Sequence, residues 1–595
     1  MNERLEKLRS LMKDCGVSMY VVPTDDFHLS EYTGSYFKCR AWLTGFTGSA
    51  GTALVTEEDA LLWTDGRYFL AAGEMLRGSG FTLMKMGVEG VPTLSEYVEA
   101  HLPAGGVLGY DGRTMSASSG KQFRKIAEKK GAKIADGRDL VGEIWEDRPA
   151  LSCEPAWILP ERYAGEGSAS KISRVRKEMA SCGAKAHVLA SLDDIAWLLN
   201  LRGGDVRYCP VVLSYLILTE DRCLFYVQAG ALSEDVRAYL QDLSVEVRPY
   251  DAVYEDAAAL TGKVLVDPSR LNARLYTLLS AHCEVVEGSN PTLLMKAVKN
   301  ETEAENFRIA HLKDGVALVK WLFWFKHALG REPLTELGCA RKLDALRLET
   351  DTSRGLSFET IAGYGPNGAI VHYEPTEEGD TPVEPRGFLL VDSGGHYLEG
   401  TTDVTRTVAC GPLTDKEKEY FTLVLRGHID LARAKFPEGV RGMNLDYLAR
   451  GPFWERGLDY RHGTGHGVGY LLNVHESPNG FRWKVVPERN DSAAFVPGMI
   501  QSDEPGIYLE GEFGVRIENL LLTVLDEKTE FGQFLSFENL TLCPIDLDAV
   551  VPEMLTADEK AFLNEYHETV FRKLSPFLNE EEAAWLREAT RPLES

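Results

Sequence analysis

The ten cysteines stand singly from Cys15 to Cys543, with no CxxC pair among them. Their spacing excludes both a disulfide framework and a thiolate zinc site, and it fits a reducing cytoplasm. Long apolar runs are missing as well. The opening MNERLEKLRSLMKDCG spaces Leu5, Leu8 and Leu11 as an amphipathic helix does and lacks the apolar core of a signal peptide. No later stretch reads as a transmembrane span, so no membrane partner is expected. Basic charge is the third shortage. With 64 Lys+Arg against 90 Asp+Glu the net charge is -26, which repels phosphate backbones and excludes nucleic acid as a partner. Low-complexity linkers and charge blocks are absent too. The composition is globular, with 44% hydrophobic residues over 595 positions. At roughly 150 residues per domain, that length holds about two to four domains.

Residues 1–155 alternate helical stretches with β-rich runs such as MYVVP and GTALVTEEDALLWTD, and they end in the proline-marked RPALSCEPAWILP. Residues 156–298 repeat this order. AWLTGFTGSAG at Ala41 and AWLLNLRGGDV at Ala196 each precede a strand, a turn containing Thr-Glu and a second strand, which points to an internal duplication. Residues 299–595 open with NETEAENFRIAHLKDGVALVKWLFWF, whose acidic start and apolar spacing predict a long helix packed on a sheet. From about 541 to 595 the chain turns helical again. A capping box at Thr556–Glu559 and a cap at Asn579 mark this tail, which is expected to pack on the third unit or on another subunit.

The stretch RHGTGHGVGYLLNVHESP, starting at Arg461, invites two readings that fail. Neither GxGxxG nor GxxxxGK[ST] fits it as a phosphate cradle, and a zincin helix would need a Glu after His462 and fewer glycines. What remains is an extended or looped backbone in which alternate glycines permit close approach of a ligand or another chain segment.

Carboxylates nearby give the histidines a context. GFLLVDSGGHYLEGTTDVTRTVACG reads as two strands, with Asp392 ending an apolar run and Asp403 inside the return strand. GMIQSDEPGIYLEGEFGVRIENLLLTV repeats the form, with Glu504 ending one strand and Glu518 embedded before LLLTV. Taken singly, each acid reads equally well as a turn or solvent-facing strand residue. Taken together, four carboxylates beside apolar strands stay ionised only if cations balance them. Two divalent ions supply the matching charge, and a histidine such as His466 completes a set suited to Mn(II) or Mg(II), with Zn(II) or Co(II) as alternatives. Such a pair holds a bridging water and presents hydroxide to a carbonyl, which is metal-assisted hydrolysis.

The order Asp392, Asp403, His466, Glu504, Glu518, in the settings VDSGG, TTDVTRT, HGTGHGVG, DEPG and RIEN, resembles the dinuclear metallopeptidases of the pita-bread fold. DGRYF at Asp65, LDDIAWLLNLRG at Leu192, KAVKN at Lys296, GPNGAIVHY at Gly365 and NVHE at Asn473 narrow the resemblance to the long, three-domain Xaa-Pro aminopeptidases. The resemblance implies an α/β (α+β) chain: two creatinase-like N-terminal domains, 1–155 and 156–298, and a pita-bread catalytic domain, 299–595. It implies that Asp392 binds one metal, that Asp403 and Glu518 bridge, and that His466 and Glu504 hold the other metal, with Mn(II) expected first and Zn(II) or Co(II) next. Thr405, two residues beyond Asp403, is the expected donor to these carboxylates. His372 and His475 are the expected catalytic histidines lining the cleft. His462, Tyr508 and Arg516 match the proline-side pocket, and Arg67 matches a substrate contact from the N-terminal unit. The implied reaction is hydrolysis of the N-terminal Xaa-Pro bond of peptides with proline second, by a cytoplasmic homodimer. Prolidase, which cuts dipeptides only, and an inactive pita-bread module that binds peptides are the alternatives.

Overall fold

The opening helix Glu3–Asp14 buries Leu5, Leu8 and Met12 on one face, so Met12 takes the core position that the leucine spacing had given to Leu11. The computed structural model describes residues 3–486 and 490–594. Its first sheet runs in the order Thr82–Lys85, Ala60–Thr64, Thr52–Thr56, Met19–Pro23, Val107–Tyr110, Lys133–Ala135. The second runs Val245–Pro249, Cys223–Val227, Ser214–Thr219, Ala186–Leu189, Gly262–Val266, Cys283–Glu287. Both have the same chain order. In both, the first three strands in sequence pair antiparallel and the remaining pairs are parallel. The Thr-Glu turns agree in detail: Thr56 N donates to Asp59 O, and Thr219 N donates to Arg222 O. The repeat is therefore a repeat of topology.

Both sheets belong to one compact unit, Met1–Leu159 with Glu166–Thr292. Most of both N-terminal domains expected from the sequence lies within this unit. Buried His28 shows why: its Nδ1 lies 2.9 Å from Ala190 O and its Nε2 2.6 Å from Tyr250 OH, tying the first repeat to the second.

The other unit, Pro160–Gly165 with Leu293–Ser595, contains the 28-residue helix Glu301–Ala328. Asn300 and Glu303 form its capping box, and Phe307, Ala310, Leu318, Trp321 and Phe325 lie on its buried side. Strands Ile361–Tyr364, Phe388–Ser393 and Val404–Ala409 form an antiparallel sheet. A second antiparallel sheet runs Lys435–Pro437, Gly532–Asn539, Asn519–Thr529, Ile500–Asp503, Gly465–Gly467, Glu476–Phe481. The tail helices Ala557–Leu574 and Glu580–Ala589 both carry capping boxes. They place Leu563, Val570, Leu574 and Leu586 in one core with Phe421, Leu425 and Val515, so the tail packs on this unit itself.

Candidate metal centre

Each acid-bearing pair of strands ends its ladder at the carboxylates. Asp392 lies in strand Phe388–Ser393, opposite Thr405 in register. Asp403 stands one residue before Val404–Ala409 rather than inside it. Between the two strands the chain forms Gly395–Tyr397, which pairs with Ser353–Leu356, and Gly400–Thr401, which pairs with Gly395–Tyr397, so the return ladder begins only at Val404. The second pair repeats this. Glu504 follows Ile500–Asp503, and Glu518 precedes Asn519–Thr529, whose ladder closes at Asp503 and Asn519. The small strands Gly506–Leu509 and Phe513–Arg516 form the hairpin between them.

These ends converge. One ligand atom each from Asp403, His466 and Glu518 lies within 4.8 Å of the others. His466 Nε2 is 3.4 Å from Asp403 Oδ2 and 3.5 Å from Glu504 Oε1. Its Nδ1 lies 2.9 Å from Gly467 O, an acceptor that calls for the proton on Nδ1 and leaves Nε2 for a metal. Asp392 Oδ1 and Glu518 Oε1 are buried with no hydrogen-bond partner. Burial raises the pKa values of Asp392, Glu504 and Glu518, least offset at Glu518, which its acidic neighbours push up further. Burial opposes protonation of His466, yet Asp403 and Glu504 raise it to about 9. Buried acids with orphaned oxygens, and an imidazole held between them, form a donor set that fits divalent cations.

Arg516 joins the expected metal ligands to the expected proline pocket. It is 2% exposed; Nη2 donates to Asp392 Oδ2 at 2.6 Å, Nη1 to Tyr508 OH at 2.7 Å and Nε to Thr405 Oγ1 at 3.1 Å. Tyr508 OH lies 2.9 Å from His462 Nε2, and His462 Nδ1 lies 2.7 Å from Gly463 O. Burial, helped by Arg516, lowers the pKa of His462 to about 3. The ring is therefore neutral at neutral pH and accepts the tyrosine proton. Thr405 Oγ1 donates to Glu518 Oε2 at 2.7 Å. The charge balance read from the sequence left Arg516 out. Its guanidinium already offsets one of the four carboxylates.

Of the remaining expected residues, His475 stacks edge-on against His466, with ring centroids 4.2 Å apart. His372 is close enough to His462 to disfavour its protonation. Arg67 lies in the other unit, where Nε and Nη2 clasp Asp65 Oδ1 and Oδ2 at 2.9 and 2.8 Å. The glycines of the histidine strand make room for protein backbone. A Cβ on Gly465 would meet Ser502 O at 1.9 Å and one on Gly467 would meet Glu476 O at 2.3 Å, so they admit neighbouring strands rather than substrate.

Two supports were not legible in the sequence. Arg406, quoted within TTDVTRT but given no role, donates Nη1 to the carbonyls of Thr405 and Glu518 at 2.8 and 2.7 Å. Its Nη2 reaches Cys543 O at 2.8 Å and Tyr566 OH at 2.9 Å. The tail thereby holds the backbone of a carboxylate in the centre. Arg450 Nε donates to Asp446 Oδ2 at 2.7 Å, and its Nη2 donates to His462 O at 2.7 Å. The Asp-x-x-x-Arg spacing on helix Gly442–Trp454 was a signal for that pair, though not for its burial.

Comparison with known proteins agrees with this geometry. Residues 305–524 match metallopeptidase family M24 and residues 533–593 the C-terminal region of peptidase M24. Residues 4–144 and 147–303 each match the Creatinase/Prolidase N-terminal domain. A probable Xaa-Pro aminopeptidase P of Laccaria bicolor is 41% identical over 99% of this chain and 93% of its own length. The crystal structure of an X-prolyl aminopeptidase from Caenorhabditis elegans, described as a cytosolic enzyme with a di-nuclear active site, superposes with a TM-score of 0.93 at 35% identity, covering 99% of both chains. A Xaa-Pro dipeptidase from Bacillus anthracis shares the fold over 64% of this chain and 99% of its own, with a TM-score of 0.51 at 23% identity. The chain belongs to the Xaa-Pro aminopeptidase P family of M24 metallopeptidases.

Proposed function

We propose that this protein hydrolyses the bond between the first residue and a proline in second position of a peptide. The observation that carries this reading is the convergence of Asp392, Asp403, His466, Glu504 and Glu518 with the Arg516, Tyr508 and His462 chain beside them. In this reading Asp392 holds one divalent ion, Asp403 and Glu518 bridge, and His466 and Glu504 hold the other. Mn(II) is the first expectation and Zn(II) or Co(II) the next. Held by these residues, two such ions would supply Lewis-acid activation of a water and of the substrate carbonyl. Arg516, which donates to Asp392, would offset part of the carboxylates' charge, and the two ions would balance the rest.

The bond before proline is a tertiary amide without an N–H, so recognition cannot rest on that donor. Neutral His462 and the ring of Tyr508 supply a closed surface for the proline ring, and Arg516 holds Tyr508 in place. In this reading His475 and His372 stabilise the developing oxyanion and manage the amine's proton, supported by the contact of His475 with His466 and the nearness of His372 to His462. Arg67 of the N-terminal unit is the proposed contact to substrate. A cytoplasmic homodimer completes the reading. The exposed aromatic cluster of Tyr447, Trp454 and Trp483 is an apolar surface of the kind that pairing covers.

Relatives called aminopeptidase P match over the whole chain, both N-terminal sheets included, whereas the dipeptidase fold accounts for 64% of it. The test compares Xaa-Pro-Xaa tripeptides with Xaa-Pro dipeptides. Cleavage of the tripeptide is expected, and activity confined to the dipeptide would make the protein a prolidase.

A further inference from the structure

We propose that Glu336 is a positioning residue for the reaction, holding the loop that carries His372 at the metal centre. This rests on the reading that His372 acts at the scissile carbonyl. Glu336 has no exposed surface and opens helix Glu336–Leu348, directly after its N-cap Thr335. The first turn of a helix favours a carboxylate, so the charge is stabilised where it stands.

Both oxygens are used on one loop. Oε1 accepts from Tyr364 N at 2.6 Å and Asn367 Nδ2 at 3.0 Å; Oε2 accepts from Tyr373 OH at 2.7 Å and Asn367 Nδ2 at 3.2 Å. These partners bracket His372. Tyr364 ends strand Ile361–Tyr364, Asn367 lies in the turn Gly365–Ala369, and Tyr373 directly follows His372. Asn367 Nδ2 also lies 3.0 Å from Tyr373 OH and 3.0 Å from Thr381 Oγ1, so the two arms of the loop are cross-linked through the same carboxylate. Further along, Glu336 N donates to Thr381 O at 3.0 Å and Leu337 N donates to Asp380 Oδ1 at 2.9 Å. The far end of the loop is thus tied to the same helix turn.

A second contact sets the loop against the centre. A Cβ on Gly514 would meet Gly368 O at 1.8 Å, so the loop's first turn lies directly on strand Phe513–Arg516. That strand leads through Arg516 to Glu518. With its start on this strand and its arms joined at Glu336, the loop leaves His372 little freedom. A glutamine at 336 would set its amide NH2 against Asn367 Nδ2 or Tyr364 N, which only donate, and would reverse or lose the bond from Tyr373 OH.

The test is a double-mutant cycle on the metal-loaded enzyme with a Xaa-Pro-Xaa substrate, measuring kcat, KM and bound metal. E336Q, and independently Y373F should E336Q not fold, is expected to lower kcat by about 10- to 100-fold, as small misplacements of reacting groups do, with KM and metal content little changed. In an H372A background the same substitutions should change kcat by less than about twofold, since the group they position is gone. An equal loss in both backgrounds, or kcat unchanged by both substitutions, overturns the proposal. Full turnover of H372A would instead refute the role of His372 itself.

Discussion

The pair Phe388–Ser393 and Val404–Ala409 and the pair Ile500–Asp503 and Asn519–Thr529 bring two acids each to one place, yet they are braced differently. Asp392 of the first is met by a buried guanidinium, Arg516 Nη2, at 2.6 Å. In the second, Glu504 and Glu518 are met by hydroxyls, Ser502 Oγ at 3.4 Å and Thr405 Oγ1 at 2.7 Å. A hydroxyl orients a carboxylate without neutralising it, whereas an arginine does both. Asp392 of the first pair therefore has a counter-charge within the protein, supplied from the hairpin of the second. The second depends on the cations, and on Arg406 to fix its backbone.

The largest expected effect removes charge from the more dependent side. Glu518→Gln should leave the melting temperature of the metal-free protein unchanged or higher, because the buried acid's cost is relieved. Turnover should fall on the order of 1000-fold or more, with bound metal reduced. Undiminished turnover at full metal content would show that Glu518 is no ligand.

Arg516 sets the contrast itself. Arg516→Met should weaken metal binding or activity by about 10- to 100-fold through loss of a ligand's hydrogen-bond partner. Arg516→Lys, which keeps charge but not the fork that joins Asp392, Thr405 and Tyr508, should retain part of it. Equal losses for both would mean that geometry matters and charge does not. Metal titration with turnover measured in parallel reads the difference.

The smallest effect probes the support behind Glu518. Tyr566, which contacts Arg406, is followed by His567, whose Nε2 accepts from Ile545 N at 3.0 Å. Burial, with Arg406 adding to it, lowers the folded pKa of His567 from 6.5 to about 3. Between these values the unfolded chain binds a proton that the folded chain refuses. This contribution is complete above pH 6.5 and is lost as pH falls toward 3, by at most ~1.4 kcal/mol per unit. H567Q should flatten the fall in melting temperature of the metal-free protein between about pH 6.5 and 5; an unchanged slope would contradict the assignment.

What could be read in the sequence was local. The carboxylates showed because each stands beside an apolar run, and the duplication showed because both hairpins turn at Thr-Glu. The capping box at Thr556 and the cap at Asn579 were equally visible because they are local, though the part of Glu582 in a second box was not read. Thr405 was expected as a donor to these carboxylates, but its partner Glu518, 113 positions away, and the meeting of Arg516 with Asp392, 124 positions apart, could not be read. Arg406 was harder still, since backbone carbonyls of Thr405, Glu518 and Cys543 leave no mark in residue type. Asp403 was placed inside its strand because the intervening strands pair with Ser353–Leu356, a segment that no motif links to it.

The most direct test of the central claim is metal content and tripeptide cleavage measured on the same sample, before and after chelation and after titrating Mn(II) back. The account predicts that activity disappears with the metal and returns in full as two ions bind per chain. Full activity in the metal-stripped protein, or full recovery with no metal bound at the Asp403, His466 and Glu518 cluster, would contradict it.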